Sequence, residues 1–347
     1  MTRAPVHCTV VIPTKNAMPA LRRVVAAVGA QRAPWPFDIL VVDSGSDDGT
    51  VEYLEALDGV RLIRIAPHEF GHGKTRNFAI SKTTAPYVAM ITQDAEPASA
   101  DWLYHLVSAV ERRDDVAGAF GPHFAYGDSD PFTRRDLAQH FLHLSQYPAV
   151  VNRFQDPRRY GSDVGYRQVL HFFSDNNACL RRSVWERIPY PDVPFGEDQL
   201  WADAIIRAGY SKAYASLAAV YHSHTYSVWE RFQRSYDESV GFRQAFGYRL
   251  DGTIRQVLRS IRARCRRDMK DCCALLSAEV SALEFARQCA MNAAAVLGNY
   301  VGAQEKPLFD SLRGVLSWDV ARHAAPRRAT VAGGSLAAGR KRSVLPR

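Results

Sequence analysis

Three short constellations in this sequence carry side chains able to do chemistry: Glu197-Asp198, Asp94-Ala95-Glu96 and His222-Ser223-His224. Glu197 and Asp198 follow the apolar, Pro-rich stretch Pro194-Phe195-Gly196 and precede Leu200, Trp201, Ile205 and Ile206, which recur at helical spacing with Gly209 as a stop. A carboxylate there can serve as a general base. Acidic residues in a first helical turn also complement the helix dipole without further role. Asp94 and Glu96 follow an apolar strand and, at i and i+2, would share one face toward a divalent cation or a sugar hydroxyl. His222 and His224 repeat that spacing after Tyr214 to Val220, read as a strand, and could complete a cation's shell. Lys74 and Arg76 could neutralise a diphosphate by charge pairing, or could be plain surface charge.

Those side chains need a frame, and the first half of the chain supplies one by alternating strand and helix. Cys8 to Ile12, Ile39 to Val42, Arg61 to Ile65 and Tyr87 to Thr92 read as buried strands, separated by helices over Leu21 to Val28, Val51 to Leu57 and Thr75 to Ser81. That alternation predicts a mostly parallel α/β sheet covered on both faces, with ligands beyond the carboxyl ends of its strands. Each polar cluster lies there: Thr14-Lys15-Asn16, Asp43 to Thr50, and Gln93 to Glu96. A further helix over Asp101 to Val110 and a strand over Val116 to Phe120 follow. The aperiodic stretch from Phe124 to Leu170 reads as a functional loop or lid. Beyond Trp229 the pattern is helical, and after about Ala325 the composition predicts a disordered basic tail.

The 347 residues suffice for a sizeable core, and no apolar run is long enough to span a bilayer. With no signal-peptide pattern at the N-terminus, a cytoplasmic location is expected. The six cysteines show neither a C-x-x-C pair nor zinc-finger spacing, and read as free thiols. Residues 231–347 carry 21 Lys and Arg against 10 Asp and Glu, or +11, leaving 23 against 26, or −3, for residues 1–230. Arg255 to Lys270 interleaves Arg with Ile254, Val257, Leu258 and Ile261, which suits anionic lipid or a phosphate-bearing partner, and equally a solvated face packed on the main domain. No motif of the common nucleic-acid readers accompanies the charge, so no nucleic-acid partner is expected.

Gly71-His72-Gly73-Lys74-Thr75 looks like the end of a phosphate-binding P-loop, but the required first glycine is replaced by His68. A nucleotidyltransferase would carry a Gly-rich basic loop after the first strand, where this chain has Pro13-Thr14-Lys15-Asn16. A nucleotide-sugar-binding protein without catalysis stays open at this point.

The order of motifs is more telling than any one of them. Val10 to Asn16, Val41 to Thr50, Arg76-Asn77, Asp94-Ala95-Glu96 and Glu197-Asp198 together resemble the inverting family-2 glycosyltransferases of GT-A fold, over roughly residues 8–230. The wording of Gly73 to Asn77, Thr92 to Ala95, Phe173 to Ala178, Glu197 to Gln199 and His222 to His224 is similar to bacterial rhamnosyltransferases of surface-polysaccharide assembly.

The resemblance implies a Rossmann-like GT-A domain over residues 1–230, with a nucleotide-sugar half to about 120 and an acceptor half after it. A helical extension over 231–325 and the tail 326–347 complete the chain. It implies that Thr14, Asn16, Asp43, Ser46, Asp48, Lys74, Arg76 and Asp94 bind the nucleotide sugar, dTDP-rhamnose being favoured over UDP- or GDP-linked donors. Asp94, Glu96, His222 and His224 would hold Mg2+ or Mn2+. Asp198 would be the base, helped by Glu197, and Asp175, Asn176 and Trp201 would meet the acceptor, a glycan or lipid-linked saccharide. The basic C-terminal helices would make any peripheral contact with the inner face of the cell membrane.

Overall fold

The computed structural model describes residues 4–274, 280–305 and 311–318. The expected tail 326–347 lies outside the described residues. Strands β1 (Cys8–Thr14), β2 (Phe37–Asp43), β3 (Val60–Arg64) and β4 (Tyr87–Ile91) alternate with helices α1 (Ala20–Gly29), α2 (Thr50–Glu55) and α3 (His72–Ser81). Next come β5 (Glu96–Pro97), α4 (Trp102–Glu111), β6 (Val116–Phe120) and β7 (His123–Phe124). The middle of the chain forms α5 (Pro131–Ser145), β8 (Val150–Val151), α6 (Pro157–Ser162), α7 (Val164–His171), β9 (Asn177–Arg181) and α8 (Arg182–Trp185). After α9 (Glu197–Arg207), β10 (Ser211–Tyr214) and β11 (Val220–Tyr221), the described elements are helices: α10 (Val228–Phe246), α11 (Ile254–Ala274), α12 (Ala282–Gly302) and α13 (Arg313–Leu316). Among the described residues, no helix is long and apolar enough to cross a membrane.

The main sheet runs β3-β2-β1-β4-β9-β6-β10-β8. Its first four strands are parallel, as are β6 and β10, while β9 is antiparallel to both β4 and β6, and β8 to β10. Alternation along β1 shows why both faces are covered: Cys8, Val10 and Ile12 pack into one core layer with α1 and α4, and Val11 into the other with Ile80, Trp201 and Ile205. A second sheet, β5-β11-β7, pairs Tyr221 with both Glu96 and Phe124. Continuing the antiparallel register of β11 against β5 by one step carries His222 toward Ala95 and Asp94.

Three expectations change. The stretch 124–170 is not an aperiodic lid but carries three helices, each opened by an aspartate whose carboxylate accepts backbone N–H bonds: Asp130 from Phe132 and Thr133, Asp156 from Arg159, and Asp163 from Tyr166. Tyr214 to Val220 is not one strand; β10 ends at Tyr214 and β11 begins at Val220. Asp94 and Glu96 do not share a strand face, because β4 ends at Ile91, Asp94 lies in a turn, and Glu96 opens β5.

The helical extension reaches the main domain through Phe195, in the loop ahead of α9. A Cβ placed on Gly241 of α10 would lie 2.3 Å from Phe195 Cδ1, so only glycine lets the helix lie this close to the ring. Beside that contact, Val193, Leu200, Val240 and Arg313 help line a cavity of about 290 Å³.

Candidate active site

At the ends of β1 and β2, register pairs Thr14 with Asp43, and two loops are stitched together there. The buried Asp43 carboxylate accepts from the amides of Gly45 and Ser46, each at 3.0 Å, and from the Ser46 hydroxyl. Asn16, at φ 49°, accepts the Asp47 amide at 2.9 Å while its own amide donates to Ser46 Oγ at 2.8 Å. Burial disfavours the charged form of Asp48, but bonds from Thr50 and from the amides of Met18 and Thr50 outweigh it and hold the carboxyl below its ordinary range. The structure thus brings Thr14, Asn16, Asp43, Ser46 and Asp48 together. Asp43 is wholly buried and acts by shaping the loop.

The second cluster forms where the small sheet meets the main one. His222 Nε2 lies 3.5 Å from Asp94 Oδ1, and His224 Nε2 lies 3.8 Å from Asp94 Oδ2. One ligand atom from each residue falls within 4.8 Å of the others. A carboxylate with two imidazoles is a donor set that suits a divalent cation of intermediate softness, so these residues fit the expected metal. Burial pushes the Asp94 carboxyl up, yet the hydrogen bond and charge of His222 and the charge of His224 win and take it well below the carboxylate range. Glu96 does not join them. It points to Arg23, with Arg23 Nε at 3.2 Å, because β5 turns its side chain to the outer face of the small sheet. His123, which the sequence reading missed, is buried on β7 with its ring edge-on to His222 at 5.4 Å.

The third cluster is buried and ionic. Arg76 Nε lies 3.0 Å from Asp175 Oδ2 and its Nη1 lies 2.5 Å from Glu197 Oε1. Tyr190 Oη donates to Asp175 Oδ1 at 2.7 Å. Asp198, at the start of α9 and half-buried, accepts from the amide of Gln199 at 2.8 Å and of Asp175 at 3.3 Å. Burial, then the charges of Glu197 and Asp175, push the Asp198 carboxyl well above its ordinary value, with Arg76 opposing only in part. Gly196, at φ +73°, sets the entry into the helix that carries both acids.

Three expected contacts move as a result. Arg76, at 7% exposure, faces the carboxylates of Asp175 and Glu197 and not a diphosphate. Asp175, at 1%, is held within the same network and is closed to an acceptor. Glu197 is buried against Arg76. Trp201 has no exposed surface; it packs on Phe173 and Tyr190, and its indole N–H donates to Ile188 O at 2.8 Å. It is a core residue. Asn176 is half-buried beside the site, whereas its neighbour Asn177 is buried and ties Trp102 to the carbonyls of Pro122 and Ala218.

Lys74 is exposed near the start of α3. A Cβ on Gly73 would sit 2.1 Å from the carbonyl oxygen of Pro191, so that glycine serves a close approach of α3 to the loop before α9. The P-loop reading loses its main residue to packing.

Residues 9–188 match Glycosyl transferase family 2. The chain is 34% identical over 235 residues to the O-antigen chain rhamnosyltransferase RfbN of Salmonella typhimurium, covering 67% of this chain and 71% of that one. It is 30% identical over the same shares to the O-antigen chain rhamnosyltransferase WbaN of Salmonella anatum. The fold is similar to that of a mannosyltransferase from Pyrobaculum calidifontis, solved with GDP-Man and Mn2+, at a TM-score of 0.52 and 19% identity over 93% of this chain and 87% of that one.

Proposed function

The chain belongs to glycosyl transferase family 2, and from that premise we propose that it is an inverting, cation-dependent rhamnosyltransferase. In this reading it moves L-rhamnose from dTDP-β-L-rhamnose to a hydroxyl of a growing bacterial surface glycan or lipid-linked oligosaccharide. The observation that carries the mechanism is Asp198: a carboxylate oriented by two amides, whose neighbours raise its proton affinity. The acceptor hydroxyl gives its proton to Asp198 as its oxygen bonds to the anomeric carbon, and the bond from that carbon to the diphosphate breaks with both electrons leaving on phosphate. A single displacement of this kind turns the β-linked donor into an α-L-rhamnoside.

Arg76 acts one step removed: it shares its charge between Asp175 and Glu197 and so fixes the backbone that orients Asp198. Asp94, His222 and His224 would hold the cation, Mg2+ or Mn2+, which when bound offsets the charge developing on the leaving diphosphate. Thr14, Asn16, Ser46 and Asp48 frame the nucleoside side, and the exposed Lys74 is left to meet phosphate. Since Asp175 and Trp201 are closed, Asn176 stays the acceptor candidate of the original three. The exposed rings of Phe124 and Tyr221 on the outer face of the small sheet add a surface on which a sugar can stack.

The sugar assignment is supported by the chain's similarity to the two O-antigen chain rhamnosyltransferases. It is tested by thermal shift with dTDP-rhamnose, UDP-sugars and GDP-sugars in the presence of Mn2+. Stabilisation by dTDP-rhamnose alone is expected; stabilisation only by another donor overturns the sugar and leaves the family membership intact.

A further inference from the structure

Helix α11 sorts its charges by face. On a helix of 3.6 residues per turn, Arg255, Arg259, Arg262, Arg266 and Lys270 fall on one side, and all five are exposed. None of the five makes an ion pair among the described residues. The helix's two acids in this span turn the other way: Arg135 pairs with Asp268 at 2.8 Å and with Asp271 at 2.9 Å. Asp268 is fully buried and also accepts from Asn292 of α12 at 2.6 Å. Val257 is buried on that inner side as well. The inner face is therefore anchored, and the outer one carries five cations, unopposed among the described residues, along about 22 Å of helix.

Apolar side chains border the basic stripe: Ile254 and Leu258 are each 65% exposed and Met269 is 54% exposed. A solvated helix face gains nothing from three such side chains in water, and a phosphate backbone asks only for the cations. A bilayer surface asks for both, with cations at the anionic headgroups and apolar groups at the acyl boundary. We propose that the outer face of α11 docks the protein on an anionic lipid surface, with Leu258 and Met269 entering the headgroup layer. This inference does not rest on the transfer reaction; either can fail without the other.

The test is co-sedimentation of the full chain with vesicles of phosphatidylcholine alone and of phosphatidylcholine mixed with phosphatidylglycerol. Binding is expected to the mixed vesicles only, and to weaken with salt. The double variant Arg262→Gln/Arg266→Gln should lower partitioning at least about 10-fold. Leu258→Ser/Met269→Ser should weaken the part of binding that survives high salt. The substituted residues are exposed, so the melting temperature should not move. Equal binding to both vesicle types, or unchanged binding by the Gln variant, overturns the proposal. Binding to a DNA duplex with no binding to mixed vesicles overturns it too, and reassigns the face.

Discussion

Asp94 and Asp198 are the same residue type in opposite company. Two imidazoles flank Asp94 and draw its carboxyl down against the effect of burial. Two carboxylates flank Asp198 and add to burial, so its carboxyl goes up. One cluster is built at strand ends, half-buried, with its groups 3.5 and 3.8 Å apart; the other is built between α3 and α9, with Arg76 ion pairs at 2.5 and 3.0 Å. The difference teaches that neighbours, more than residue type, assign the roles: a fixed negative charge in one place, a proton acceptor in the other.

The sharpest way to break the comparison is Asp198→Asn, expected to lower kcat by about 10²–10⁴-fold with donor affinity kept. The same change should raise thermal stability at neutral pH. Asp198 has a folded-state value above its unfolded one, so folding takes up a proton; stability is greatest below the unfolded value and falls as pH rises toward the folded one, and asparagine removes that loss. Near-normal turnover, or a lower melting temperature, would separate Asp198 from the role given it. Wild-type kcat should also fall on acidification at a pH above the ordinary carboxylate range, as the base takes its proton before the acceptor arrives; a pH profile flat down to about 4 would contradict this.

Next in size is Arg76→Met, which leaves Asp175 and Glu197 buried without a counter-charge and should cost about 3–5 kcal/mol in a denaturant titration. A loss under about 1 kcal/mol would mean the ion pairs are not the support they look to be. Asp94→Asn should raise the Mn2+ concentration for half-maximal transfer about 10–100-fold. An unmoved metal requirement would sink the assignment of that cluster. The smallest effect is expected for Gly196→Ala, about 1 kcal/mol from the left-handed backbone, read by chemical melting.

Much of the frame was legible because it depends on local period. Val10, Val11 and Ile12 alternate between core layers as a covered strand must, and Leu200 to Ile206 announce α9 through helical spacing. The helices in 124–170 were legible too, in Asp130-Pro131 and Asp156-Pro157, where a capping acid precedes a proline suited to the first turn. Aromatic and charged residues hide the helical period there, so the caps are the sequence's one mark of these helices. Arg76 was different in kind. Its partner Glu197 is 121 residues away, and only the folded chain shows that the guanidinium turns inward to carboxylates. Glu96 failed for a similar reason: the i, i+2 rule holds within a strand, and the strand had already ended.

The packing of Phe195 against Gly241 bears on the order in which the protein is made. A chain leaving the ribosome can pair β1 to β4 and close the loops around Asp43 while α10 is still being synthesised. The loop that leads into α9 has no seat for its phenylalanine until residues through Gly241 have emerged. The part that would recognise a nucleotide can thus mature early, and the part that would take the proton is completed late, so a nascent or prematurely ended chain would tend toward holding a donor before it could react it.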